Sequence, residues 1–305
     1  MSRLIAYFLW SALSLLAVSG CGRPSTEPEL IWGKRGVMPG ALSRPRAIAI
    51  DPQNRIFIVD FTARIQQFNL DGEYAEIGWR TPDFRNGRPS GLGIARDGNL
   101  IVCDSHYHCL RIYTAEGEEL KQIGGDPGHE PGQFGYISDA VQDAEGFFYV
   151  SECSMNDRIT KLDAEGKFVK CWGKLGTEIG EFNRVRALAL GPDGLLYAAD
   201  ACNHRIQVFD REGNFVRSFG SAGSELGQLS YPYDLAFGPK GDLYVVEYGN
   251  HRVQKFDMQG RSLASWGKPG KRPGELSSPW ALIVDSEGRV HVVDTENHRV
   301  QRVKF

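Results

Sequence analysis

Three stretches of this 305-residue chain place an acid, an asparagine, a histidine and an arginine within six positions. They are Asp200 with Asn203-His204-Arg205, Glu247 with Asn250-His251-Arg252, and Asp294 with Asn297-His298-Arg299. A histidine beside a carboxylate suits a general base or a metal ligand. Looser versions lie upstream, with Asp60 and Arg64, Glu152 and Arg158, and Asp104 followed by Cys109 in place of the arginine. A feature written in nearly every copy of a repeat is best explained by a task that every copy shares. An acid closing one strand pairs with an arginine opening the next, and asparagine tolerates the left-handed turn between them. Six acids and five arginines are therefore assigned to scaffolding.

The repeat itself has a marker, an apolar or aromatic residue followed by glycine: Trp32-Gly33, Ile77-Gly78, Ile123-Gly124, Trp172-Gly173, Phe219-Gly220 and Trp266-Gly267. The glycines recur at intervals of about 45–49 residues, which fits four short strands and their turns, the size of a propeller blade. Between the markers, Asp-Gly and Glu-Gly pairs separate short apolar, β-branched runs, the signature of tight hairpins. Runs such as "LYVVE" are apolar at successive positions, as strands covered on both faces must be. The fold expected is all-β: a six-bladed propeller with four antiparallel strands per blade. Its blades span about 44–79, 88–125, 136–173, 184–220, 231–267 and 278–305, the last completed by an N-terminal strand at about 30–33. That closure removes two open sheet edges.

Histidines in such a ring cannot share a metal. Equivalent atoms on neighbouring blades, one strand spacing outside the innermost strand, lie on the order of 10 Å apart. Zinc needs each nitrogen within about 2.1 Å.

The strings "ACNHRIQVFD", "YGNHRVQKFD" and "TENHRVQRV" resemble the NHL repeat family, and the resemblance runs over essentially the whole of 30–305. It implies a six-bladed propeller used mostly as a binding platform. Some related propellers are lyases or lactonases with a metal cluster on the axis, and some animal relatives bind RNA.

Function is sought on the face that carries the long connections, because loops on a rigid scaffold can vary. There the repeat breaks down. Immediately before each innermost strand the copies read Arg46, Ser90, Ser138, Arg186, Tyr233 and Trp280, with Asp139 and Asp234 one position on in two of them. These eight are the candidate ligand-binding residues at the mouth of the central channel. An arginine pair suits a carboxylate or phosphate, and the aromatics suit a sugar or peptide. No phosphate-binding loop, nucleophile elbow, dinucleotide fingerprint or zinc-helix motif is present.

The first residues read as a targeting segment. Arg3 precedes an apolar run from Leu4 to Val18, shorter than the ~20 residues that span a membrane. "LLAVSGC" resembles the bacterial lipobox, which implies cleavage before Cys21, lipid on that cysteine, and retention outside the cytoplasm, in the outer membrane rather than the inner. Residues 1–20 are then the signal peptide, 21–28 a polar tether and 29–305 the propeller. Five cysteines remain, an odd number in a compartment that permits disulfides. Cys103 and Cys109 flank one loop and form the candidate disulfide, replacing the arginine that blade two lacks. Cys153 and Cys202 lie on the same face without the spacing of a zinc site. With a net charge of −3 the chain lacks the basic field expected for nucleic acid. The expectation is a monomeric, membrane-tethered platform for a protein, peptide or glycan, without cofactor or metal. The alternative is a propeller enzyme of lyase or lactonase type with a metal or small ligand at the channel mouth.

Overall fold

The computed structural model describes residues 27–82 and 87–305. The expected signal peptide, most of the expected tether and Cys21 lie outside the described residues. Six four-stranded antiparallel sheets follow one another along the chain. Blade four shows the pattern: strand a is Val185–Leu190, b Leu196–Asp200, c Arg205–Phe209 and d Phe215–Phe219, hydrogen-bonded in that order. The sixth sheet draws its outer strand from the N-terminal end. Leu30–Trp32 pairs antiparallel with Arg299–Lys304, with Trp32 opposite Val300, and so closes the ring.

The apolar core lies between sheets. Strand b residues are buried at every position in each blade except Arg289, the first of blade six, because both faces of the sheet are covered. Burial of these faces is the main favourable term, at roughly 25 cal/mol per Å² of apolar surface.

The two glycine signals of the repeat have one joint cause. Trp172, ending strand d of blade three, packs onto the turn glycine Gly213 of blade four; a Cβ there would lie 2.6 Å from the indole. Gly213 also has φ +80°, where side chains are strained. Trp32, Trp79, Ile123 and Phe219 press on the corresponding glycines of their next blades. Five of the six blades therefore plug into the next through a large strand-d residue over a Gly turn; Trp266 of blade five meets no such turn, because strands c and d of blade six come from opposite ends of the chain.

This contact corrects one reading. In blade one the plug is Trp79, not Ile77: Trp79 faces Ile65 as Trp172 faces Ile159, and it is Trp79 that covers Gly117. A register shift between Gln66 and Phe68, with Glu76 at φ +59°, displaces the strand, so Ile77-Gly78 mimics the marker two residues early.

Candidate functional site

The repeated motif is wholly occupied in holding blades together. Arg205 Nε donates to Asp200 Oδ2 at 2.8 Å, while its terminal nitrogens donate to the carbonyls of Thr177, Glu178 and Glu181 in the connection entering the blade. Asn203 Nδ2 bridges the Gly176 carbonyl and Asp200. Arg252 and Arg299 bind Glu247 and Asp294 in the same way, and Arg158 and Arg64 bind Glu152 and Asp60. All these acids except Asp104, at 1 %, are 0 % exposed.

The histidines sit in the left-handed region, at φ 55°, 52° and 56° for His204, His251 and His298. Their Nδ1 atoms accept backbone N–H groups of the following blade, from Tyr231 at 3.2 Å, Ser278 at 2.9 Å and Arg44 at 3.0 Å. Asp157 takes this place in blade three, accepting from Arg184 N at 2.7 Å. Each is an interblade latch, and acceptance at Nδ1 requires the neutral ring with its proton on Nε2.

Blade two departs as its sequence does, but not through a disulfide. Cys103 and Cys109 are free, buried thiols. Cys103 is opposite Leu110 and Cys109 opposite Asp104, so the two side chains point to opposite faces of the sheet and cannot meet. The missing arginine is supplied two residues later: Arg111 Nε donates to Asp104 Oδ2 at 2.9 Å. Burial pushes the Cys109 thiol up to about 12, which leaves it unreactive.

All eight candidates at the channel mouth line one cavity of about 270 Å³, bounded by the innermost strands. In blades one, three, four and five, Arg46, Ser138, Arg186 and Tyr233 coincide with a register shift in strand a. A bulge inserts an unpaired residue and re-aims its side chain, which is how these positions escape the ladder.

The eight then divide by what they bond. Ser90 and Ser138 are buried, and their hydroxyls reach next-blade carbonyls: Ser90 Oγ to Ile137 O at 2.8 Å and Ser138 Oγ to Val185 O at 2.6 Å. Asp139 and Asp234 are also stitches between blades. Their Oδ2 atoms accept the N–H of Leu188 and Leu282, both at 2.9 Å. Removal from water pushes both carboxyls up, Asp234 to about 7 and Asp139 well above the usual range, the latter also because Asp234 is nearby.

Among the described residues, no side-chain hydrogen bond or ion pair engages the polar ends of the other four. Arg46 stacks over Trp280 at 4.8 Å, and Arg186 lies over Tyr233 at 4.8 Å and Trp280 at 5.5 Å. Tyr233 is itself stacked on Tyr248, with centroids 4.6 Å apart and planes at 18°. Among the described residues, the Nε atoms of both arginines are buried without a hydrogen-bond partner. Burial and the neighbouring charges of Arg186, Arg88 and Arg44 bring Arg46 down to about 10.

Tyr248 was missed by the sequence reading, although the same signal could have found it. The position after each repeated acid reads Phe61, Ser105, Cys153, Ala201, Tyr248 and Thr295, a second ring without repetition. Tyr248 from this ring joins the mouth through its stack on Tyr233, while Phe61 lies under Arg88 at 3.9 Å and Arg44 at 4.9 Å, outside the cavity lining.

A family model of the NHL repeat matches residues 182–209, 229–256 and 276–303, and the chain contains NHL repeats there. Each match runs from the end of a connection through strands a, b and c of blades four, five and six. Among curated proteins, the chain is 33% identical over 149 residues to "Protein brain tumor" of Drosophila melanogaster, covering 47% of this chain and 14% of that protein. It is 31% identical over 199 residues to the peptidylglycine alpha-amidating monooxygenase of Rattus norvegicus, covering 54% of this chain and 20% of that one. The chain thus spans a fifth or less of the length of these two relatives. Among solved structures, a streptogramin B lyase superposes with TM-score 0.65 at 13% identity, covering 90% of this chain and 97% of the other. A virginiamycin B lyase from Staphylococcus aureus with quinupristin gives 0.61 at 16%, covering 90% and 88%. At such identities the likeness is one of fold. Proteins of varied roles share this architecture, so function has to be argued from the site.

Proposed function

We propose that the chain is a lipid-anchored, extracytoplasmic binding platform whose channel-mouth face takes a protein, peptide or glycan ligand. One observation carries the reading. In a molecule where the repeated polar groups are tied into the scaffold, Arg46, Arg186, Tyr233 and Trp280 form an aromatic and cationic cluster with unpartnered buried nitrogens. Such a cluster at the open end of a cavity is a recognition surface. The bulges that release these residues from the ladder add to it, since bulges commonly re-aim side chains next to sites.

The test is partner capture from envelope extract with the tethered chain. Arg186→Ala with Trp280→Ala should abolish the captured species while leaving the thermal unfolding midpoint within a few degrees of the parent. Capture that survives the double substitution overturns the assignment of the face. The anchor has its own test: Cys21→Ala chain that is still processed and still sediments with membranes would refute lipidation at that residue.

The likeness to lyase folds supports a second reading, an enzyme working in the same cavity. It would rest on Asp139 and Asp234, the two carboxyls with raised proton affinity there. Lyase-type turnover lost on Asp234→Asn, in a protein that remains folded, is the result that would favour it.

A further inference from the structure

Blades one and four face each other across a six-blade ring, yet their arginines converge. Arg46 reaches from one side and Arg186 from the other, and both guanidiniums lie over the same indole, Trp280 of blade six. Two like charges gathered on one ring repel each other, and the scaffold gives no reason for bringing them together. Away from the channel mouth, half-buried arginines hold an acid, even Arg217 and Arg302, whose Nε atoms are likewise without a hydrogen-bond partner among the described residues. Arg205 and Arg252 each bind a carboxylate and three carbonyls. Among the described residues, Arg46 and Arg186 bind no acid.

Acids do lie in the same cavity, but they are committed. Asp139 and Asp234 accept backbone amides of the adjoining blades, and neither is ion-paired with Arg186. Burial pushes the Asp234 carboxyl up to about 7, which weakens it as a counter-ion for the arginines. Around the rim, Arg88 adds to the positive potential, whereas Arg44 is neutralised by Glu296. The aromatic rings occupy the faces of the two guanidiniums, which leaves their N–H edges for a ligand. A guanidinium edge matches the paired oxygens of carboxylate or phosphate.

We propose that Arg46 and Arg186, backed by Trp280 and Tyr233, are a receptor for an oxyanion, a carboxylate or phosphate group carried by the ligand of the channel-mouth face. This rests on the reading of that face as the binding surface, and it names the ligand's chemistry. The oxyanion takes the place of the counter-ion that the fold omits. A neighbouring flat or ring-shaped part of the ligand would meet the Tyr233–Tyr248 stack.

The experiment is differential scanning calorimetry of the folded chain in sodium chloride, with phosphate or acetate substituted at constant ionic strength. A ligand at about ten times its dissociation constant should raise the midpoint by about 2–5 °C for a domain of this size. Arg46→Met and Arg186→Met should each abolish that rise. Each should also leave the midpoint in chloride alone equal to or above the parent's, since an unpaired, repelled charge has been removed. Arg261→Gln, at an exposed turn where the arginine pairs only with Asp257, should keep the full rise.

A larger rise with phosphate than with acetate assigns a phosphorylated ligand, and the reverse assigns a carboxylate. No rise beyond chloride with either anion overturns the inference, as does a rise that persists in both methionine variants. The two readings fail separately. Partner capture that depends on Trp280 without any anion effect removes the oxyanion and leaves the platform. An anion effect without any captured partner removes the platform and leaves a small-molecule receptor.

Discussion

Arg205 and Arg186 belong to the same blade and have the same chemistry, but opposite circumstances. Arg205 opens strand c, where Asp200 lies opposite and the incoming connection offers three carbonyls, so each of its three nitrogens donates. Arg186 sits at a bulge in strand a, with an aromatic on its face and an unpartnered Nε. The same contrast separates the two rings to which they belong. In the outer ring, acid, asparagine, histidine and arginine form a closed set of bonds, repeated with small changes. In the inner ring the residues differ from blade to blade, and four of the eight leave polar atoms for something else. Repetition of a chemically capable motif is thus a mark of scaffolding here, and its loss marks the proposed site.

The comparison can be broken most sharply in the outer ring. Asp200→Ala would strand Arg205, Asn203, Gln207 and the amide of Asn183, all of which now bond its carboxylate. Leaving a buried charge unpaired should cost about 3–5 kcal/mol, read as a fall in the denaturation midpoint. A loss below about 1 kcal/mol would mean that the motif is not the blade clamp described above.

Next comes a pH effect confined to the inner ring. Asp234 has its folded value raised to about 7 by burial, whereas the unfolded carboxyl titrates near 3.9. As pH rises from about 4 to 7 the unfolded chain releases this proton first, so the folded state loses stability, fully so above about 7. Asp234→Asn removes that slope. Its midpoint relative to the parent should therefore be higher at pH 8 than at pH 5, and equal differences at the two pH values would refute the assignment.

Exchanging the two arginines sharpens the contrast in sign. Arg205→Met should destabilise by roughly 2 kcal/mol, because its acid and the connection lose their donor. Arg46→Met should be neutral or stabilising under the same conditions. Matching losses in chemical denaturation would erase the distinction between the rings.

The smallest effect lies with the latches. Burial holds His251 and His298 below the ordinary histidine value, in the neutral state that their Nδ1 bonds require. Their contribution is present above about 6.5 and is lost as pH falls from there towards the lowered folded values. His251→Asn keeps the left-handed turn but removes the latch. It should cost roughly 1 kcal/mol at pH 8 and less at pH 5, measured by urea denaturation.

Much of this was legible in the sequence. The glycine-marked period and the Asp-Gly and Glu-Gly turns foretold six sheets, and the unmatched ends of the chain foretold their closure. Those signals are local: φ above zero, tight turns and apolar runs depend on a few neighbouring residues. The same legibility misled at Ile77-Gly78, where a register shift carried the plug to Trp79. It misled again at Cys103 and Cys109, near in sequence but on opposite faces of their sheet.

The positions at the channel mouth were legible too, because divergence among copies can be read by alignment within one chain. Their roles were not. Ser90 and Ser138 became stitches and Arg46 and Arg186 remained free only when the next blade supplied carbonyls to one pair and aromatic faces to the other. By itself the sequence determined the blade, the number of blades and which positions depart from the pattern, since these follow from short-range backbone rules. Which polar groups are satisfied depends on partners some fifty residues or more away, so only the closed ring decided it.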